Sequence, residues 1–130
     1  MGPLSNPNRR SDFAHPIEAE FARLLDFYRI PWEYEPTTFP LAADEAGNLL
    51  EAFTPDFFLP LQEIYVELTT RRQDLITDKN RKIRTLKQQY PRVNIKLLNR
   101  RDMTALLLKY GMAAQSSQLI GTPPNPHETG

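Results

Sequence analysis

Apolar residues first recur at helical spacing after Pro16. Phe21, Leu24, Leu25 and Tyr28 fall on one stripe, and Glu18 and Glu20 sit in the first turns, where the helix dipole favours anions. Proline suits the first turn of a helix, whereas the residue preceding a proline avoids helical geometry, so Pro16 and Pro31 bracket this element. The period then changes. Trp32-Glu33-Tyr34-Glu35 alternates aromatic with acid and predicts a strand, extendable past Pro36 and Pro40 through Phe39 and Leu41. Asp44-Glu45-Ala46-Gly47-Asn48 predicts a turn, so the run Leu49 to Leu59 pairs back as a hairpin, with Pro55 at an edge or a distortion of the ladder. Pro60-Leu61-Gln62 turns the chain again. Glu63 to Thr69 is then a strand with Ile64, Val66 and Leu68 on one face and Tyr65, Glu67 and Thr69 on the other.

Thr77-Asp78 starts or reinforces a second helix that runs to about Tyr90, with Pro91 as its stop and Ile76, Ile83, Leu86 and Tyr90 as its apolar stripe. Val93 to Leu98 forms another strand. Asn99 or Asp102 caps a final helix carrying Leu106, Leu107 and Tyr110, and Gly111 is expected to end it. The resulting order is α-β-β-β-α-β-α. The step from Val66 through Leu86 to Ile95 calls for a right-handed crossover, which makes its two strands parallel. The expectation is an α/β fold with a mixed four-stranded sheet and helices on both faces. Residues 1–14 show no apolar period and read as a mobile arm, 15–111 as one domain, and 112–130 as a disordered tail or a linker to another domain or partner.

Composition narrows the classes. No stretch approaches the roughly 20 apolar residues of a membrane span, and no apolar signal-peptide core opens the chain, so the expectation is a soluble cytoplasmic protein without membrane contact. Absence of cysteine excludes disulfides and thiolate metal sites. A net charge of zero argues against nucleic acid as a partner, but the distribution of charge argues the other way. Residues 11–70 hold 12 acids against 2 bases, and residues 71–101 hold 11 bases against 2 acids. Partners meet surfaces rather than averages, so this asymmetry counts for more than the total.

The candidate chemistry lies in Phe53-Thr54-Pro55-Asp56-Phe57-Phe58-Leu59-Pro60 and Ile64-Tyr65-Val66-Glu67-Leu68-Thr69. If the two runs pair side by side, Asp56 and Glu67 converge at one end of the sheet. Two carboxylates among Phe, Ile, Val and Leu are costly to desolvate unless a cation sits between them. Paired carboxylates with few competing ligands suit Mg²⁺, which keeps several waters and takes one or two protein carboxylates plus a phosphate. Thr69 shares the face of Glu67 but carries no charge. On the next helix Lys79 falls on the buried stripe between Ile76 and Ile83, and Lys82 borders it. A lysine so placed needs a carboxylate or another anion for its head group. His15 and His127 lie in the two terminal segments and read as surface residues.

Pro55-Asp56, followed by Glu67-Leu68-Thr69 on the next strand and then by helix, strand and helix, resembles the PD-(D/E)XK nuclease superfamily. That superfamily has the restriction-endonuclease-like fold, and the resemblance covers residues 15 to 110. It implies a first-helix glutamate, Glu18 or alternatively Glu20, completing a Glu/Asp/Glu cluster with Asp56 and Glu67. It also implies Mg²⁺ or Mn²⁺ held by Asp56, Glu67, the Leu68 carbonyl and Glu18. Thr69 stands where the family usually has lysine, and Lys79 or Lys82 would replace it from the following helix. Arg71, Arg72, Arg81, Arg84, Lys87, Arg100 and Arg101 would then contact DNA phosphates, which position a duplex without reading its sequence.

The function implied is metal-dependent endonucleolytic hydrolysis of DNA. The alternative is a non-catalytic module of the same fold that binds nucleic acid or a partner protein. A third reading takes the acid–base asymmetry as a self-association surface, which would make a homodimer.

Overall fold

The computed structural model describes residues 2–7, 12–70 and 72–120, apart from the side chains of 73, 74 and 112–120. Its elements are β1 (Leu4–Ser5), α1 (Pro16–Phe27), β2 (Glu33–Tyr34), β3 (Thr37–Ala43), β4 (Leu49–Phe53), β5 (Phe57–Leu59), β6 (Ile64–Leu68), α2 (Gln73–Gln89), β7 (Ile95–Leu98) and α3 (Arg100–Ile120). The fold is mixed α/β. A four-stranded sheet runs β2-β5-β6-β7, and a separate three-stranded antiparallel sheet runs β1-β3-β4. In the larger sheet β2 pairs with β5 and β5 with β6 antiparallel, whereas β6 and β7 are parallel. Among the described residues no helix is long and apolar enough to cross a membrane.

Two of the expected strands are each split between the sheets. The first divides at Glu35-Pro36 into β2 and β3, and the second at Thr54-Pro55 into β4 and β5. Proline has no N–H to give a ladder, so each proline marks the point where the chain leaves one sheet for the other. The ends of this excursion are tied together by the Glu35 N–H, which donates to the Asp56 carbonyl at 2.8 Å. Leu4–Ser5, inside the segment expected to be a mobile arm, pairs with Thr37–Thr38 as the edge of the smaller sheet. The Asn6 side chain fixes that edge by donating to the Glu35 carbonyl and to Thr38 Oγ1, each at 2.9 Å.

Alternation along β6 divides the apolar core into two clusters. Ile64, Val66 and Leu68 pack with Phe21 and Leu25 of α1 and with Met103, Leu106 and Leu107 of α3. Tyr65 of β6, with Ile95 and Leu97 of β7, belongs to a second cluster with Phe39, Leu41, Phe53, Ile83 and Leu86. The larger sheet is therefore covered by α1 and α3 on one face, and by α2 with the smaller sheet on the other. The C-terminal end of α2 is pinned to β3, because Tyr90 donates to the Pro40 carbonyl at 2.8 Å and Gln89 to the Leu41 carbonyl at 2.7 Å.

Helix ends depart from expectation in instructive ways. α1 closes with the Ile30 N–H on the Leu25 carbonyl and the Arg29 N–H on the Asp26 carbonyl, a Schellman motif with Arg29 in the left-handed region at φ 59°. α2 begins at Gln73, four residues before the Thr77 start expected from capping. α3 does not end at Gly111 but continues to Ile120, so 112–120 are helical and only 121–130 of the expected tail lie outside the described residues. Gly111 marks a close approach rather than a terminus: a Cβ built there would stand 2.4 Å from Cδ1 of Tyr28.

Gly-to-Ala inside a helix usually stabilises by roughly 1 kcal/mol. Here overpacking against Tyr28 costs about 1–3 kcal/mol and reverses the sign. Gly111→Ala should lower the thermal midpoint, whereas in a Tyr28→Ala background the same substitution should be neutral or stabilising. Paired thermal denaturation curves check both.

Candidate active site

Asp56 follows Pro55 immediately before β5, and Glu67 is the fourth residue of β6. The ladder pairs Phe57 with Val66, and one further step in the same register sets Asp56 opposite Glu67. Each side chain binds the other strand's backbone. The Asp56 N–H donates to Glu67 Oε1 at 3.1 Å, and the Leu68 N–H donates to Asp56 Oδ2 at 2.8 Å. Both carboxyls are deeply buried, with Asp56 7% and Glu67 5% exposed.

Lys79 comes to this pair from α2. Its Nζ donates to the Leu68 carbonyl at 2.5 Å and lies 3.1 Å from Glu67 Oε2. Period 3.6 carries Lys79 on the stripe of Ile76 and Ile83 over the α2 face of the sheet, the face to which alternation directs Glu67. One side chain thus meets a carboxylate and a main-chain carbonyl at the carboxyl end of β6. Lys82, the other lysine singled out from sequence, instead faces Asp78 one turn back at 3.7 Å.

Electrostatics follow from this burial. Desolvation, and then the facing charge of Glu67, push Asp56 up to about 9, against the Leu68 N–H that favours its anion. Desolvation likewise raises Glu67, with Lys79 the main influence in the opposite direction. With both carboxyls ionised the pair would hold more negative charge than one ammonium can neutralise, and the excess is relieved by the proton that Asp56 keeps.

Glu18 is buried at 4% exposure but is engaged on the α1 side. The Tyr34 hydroxyl donates to Glu18 Oε1 at 2.6 Å, and the Ala14 N–H reaches the same oxygen at 3.1 Å. Its charge is nonetheless felt at both Asp56 and Glu67, raising each. Burial and the bond to Glu18 together push the Tyr34 phenol up. Sequence reasoning missed Tyr34. The available signal was the Trp32-x-Tyr34 alternation, since a tyrosine on a buried strand face needs an acceptor for its hydroxyl. Glu20 lies at the surface, paired with Arg100.

Among the described residues, no group of three or more His, Cys, Asp or Glu side chains is placed to hold a metal ion. What the fold does gather is two carboxylates and a carbonyl oxygen. A hard divalent ion that keeps most of its waters can use such a donor set, and its charge would favour ionisation of the proton-holding Asp56. Asp56, Glu67 and the Leu68 carbonyl are the groups that would hold it.

Beside the pair the surface opens. A cleft of about 470 Å³ is lined by Ile17, Thr69, Thr70, Asn99, Arg100 and Arg101. A second, of about 430 Å³, shares Thr69, Thr70 and Asn99 and extends to Ile76 and Asn80. Both are lined by Thr69, two residues beyond Glu67. Thr69 is itself 5% exposed, and its hydroxyl donates to the Thr70 carbonyl at 3.2 Å.

The basic residues expected to meet DNA are distributed unevenly. Arg100 and Arg101 line the larger cleft. Arg81 is held by Glu51 at 2.6 Å and by Asp78 at 3.1 Å. Arg72 stands at the start of α2, and Arg84 and Lys87 are exposed along it, whereas Arg71 lies outside the described residues. Comparison with protein-family models, with characterised proteins and with solved structures finds no match to this chain.

A carboxyl whose pKa rises from 3.8 to about 9 on folding holds its proton more tightly in the native state than in the unfolded chain. Stability is therefore greatest below the unfolded value and falls as pH climbs towards the folded one. In chelator, the thermal midpoint should decline between pH 5 and pH 9. Asp56→Asn, which can still accept from the Leu68 N–H, should flatten that decline and exceed the parent near pH 8 by on the order of 1–3 kcal/mol. Denaturation across a pH series checks it. A parent midpoint that stayed level, with a lower one for the Asp56→Asn variant, would contradict the charge-burden explanation.

Proposed function

We propose that this chain is a divalent-metal-dependent nuclease of the PD-(D/E)XK type, with a restriction-endonuclease-like core, hydrolysing phosphodiester bonds in DNA. The observation that carries the reading is the convergence of Asp56, Glu67, the Leu68 carbonyl and Lys79 at the carboxyl end of β6, with Asp56 held towards its protonated form until a further cation arrives. Further support comes from the antiparallel β5–β6 step followed by a helix and a parallel β7, the order of elements that the resemblance implied.

A bound Mg²⁺ or Mn²⁺ would supply Lewis-acid stabilisation of the charge developing on the phosphate and the leaving oxygen. The protein's own groups do the positioning. Asp56 and Glu67 are fixed by reciprocal hydrogen bonds to each other's strands, so their geometry costs little to assemble when substrate arrives. Lys79 carries three donors and no acceptor, and it orients a water or steadies the hydroxide formed from it. The water oxygen bonds to phosphorus as the phosphorus–ester oxygen bond breaks. One proton leaves the attacking water for solvent, and one from solvent goes to the departing alkoxide. Arg100 and Arg101, beside the open cleft, would contact flanking phosphates.

A specific observation also favours the runner-up, a non-catalytic module of this fold: the oxygens a metal would use already hold an ammonium. Incubating the protein with supercoiled, branched and single-stranded DNA in Mn²⁺ separates the two. Cleavage is expected, with Asp56→Ala and Glu67→Ala each reducing it by about 10²-fold or more and Lys82→Ala leaving it within about threefold, since Lys82 faces Asp78 instead. Metal-independent, salt-sensitive binding without cleavage would establish the module instead. Cleavage surviving Glu67→Ala would assign the activity to another site or a contaminant.

A further inference from the structure

The ammonium of Lys79 touches the Leu68 carbonyl oxygen at 2.5 Å and Glu67 Oε2 at 3.1 Å, and both oxygens belong to the donor set available to a metal. A divalent ion on the same two oxygens would stand close to the ammonium, and the two like charges repel. Lys79 is not locked in place: its side chain is 27% exposed, against 7% for Glu67, and a four-carbon stem joins it to an α2 position that need not move for the head group to swing. Two open clefts are lined by Thr69, one of them also by Ile76, and the lysine is the more exposed member of its pair with Glu67.

We propose that Lys79 is a resident counter-ion, holding the Leu68 carbonyl and Glu67 until a divalent metal displaces its ammonium from them. The proposal rests on the metal reading of the Asp56–Glu67 pair and adds the order of events: metal enters by exchange with a tethered cation, not by filling an open cage. Two consequences follow. Without metal, Lys79 relieves part of the cost of burying Glu67, so the site persists in its folded form. Metal affinity is correspondingly lower than the same oxygens would give alone, since the displaced ion pair is lost each time. Thr69 offers no charge to compete for the displaced ammonium, which remains next to the site and free to act on water.

The test is metal affinity, read independently of catalysis. Mn²⁺ binding is followed by the electron paramagnetic resonance signal of the free ion, for the parent, Lys79→Gln, Lys79→Met and Lys82→Gln. Both Lys79 variants should bind Mn²⁺ roughly 5- to 150-fold more tightly than the parent, the usual span of coupling between linked ligands. Lys82→Gln should match the parent, and Asp56→Ala added to either Lys79 variant should remove the gain. Equal or weaker binding by the Lys79 variants, alongside Asp56-dependent binding by the parent, overturns the displacement and leaves the metal site standing. Binding by none overturns both. Because a Lys79 variant can fail to fold, the parent supplies a second readout: Mg²⁺ should shift the Lys79 side-chain Cε–Hε resonance in a carbon-13 spectrum, and an unmoved resonance under saturating Mg²⁺ overturns the displacement.

Discussion

The contact from Lys79 to Glu67 and the Leu68 carbonyl is the interaction on which the interior of this fold depends. β6 is buried on both faces, so any acid on it must be neutralised, protonated or given a cation. Asp56 and Glu67 use all three routes in part. They bind each other's backbone, they are pushed towards protonation, and a lysine from the neighbouring helix supplies positive charge to one of them. The register of β5 against β6 and the rotation of α2 about its axis are therefore linked. A one-residue slip of either would leave a buried carboxylate with neither partner.

The charge asymmetry along the sequence looks different once the chain is folded. The acidic half and the basic half meet within the molecule, through Glu51 with Arg81 on the smaller sheet and α2, and through Glu20 with Arg100 between α1 and α3. Exposed pairs of this kind contribute little to stability. They do, however, consume some of the basic surface that a count along the chain would assign to a polyanion. Arg101 on the cleft and Arg84 and Lys87 on α2 belong to the part of that surface with no acidic partner among the described residues.

Much of the architecture was legible in the sequence because it rests on period. The helical stripe of Phe21 and Leu25, the alternation in β6 and the parallel return in β7 all follow from where apolar residues recur. Lys79 was legible as a lysine on a buried stripe, but periodicity left Lys82 as a rival at the stripe's margin. Only the distance from α2 to the end of β6 separates the two. The sheet change was not legible. Pro36 and Pro55 announce a broken ladder, yet nothing local says that the chain continues in a different sheet. Gly111 misled for a related reason: a glycine that ends a helix and one that admits a neighbour's ring look the same until Tyr28 is placed beside it. For Glu18 the first-turn position was evident, but its engagement by Tyr34 depends on how α1 packs over β2.

The double crossing between sheets gives Asp56 an unusual mechanical position. Residues 36–55 form a closed excursion whose ends are joined by the Glu35–Asp56 backbone bond, and Asp56 is the residue at which the chain returns. The hairpin of β3 and β4 leaves the larger sheet at Pro36 and rejoins it at Asp56, and α2 clamps β3 through Tyr90 and Gln89. Its outer strand β4 is an open sheet edge with Leu49 and Leu50 exposed. The backbone of Asp56 is therefore joined to a second layer of the molecule, by the Thr54-Pro55 connection and by the Glu35–Asp56 bond.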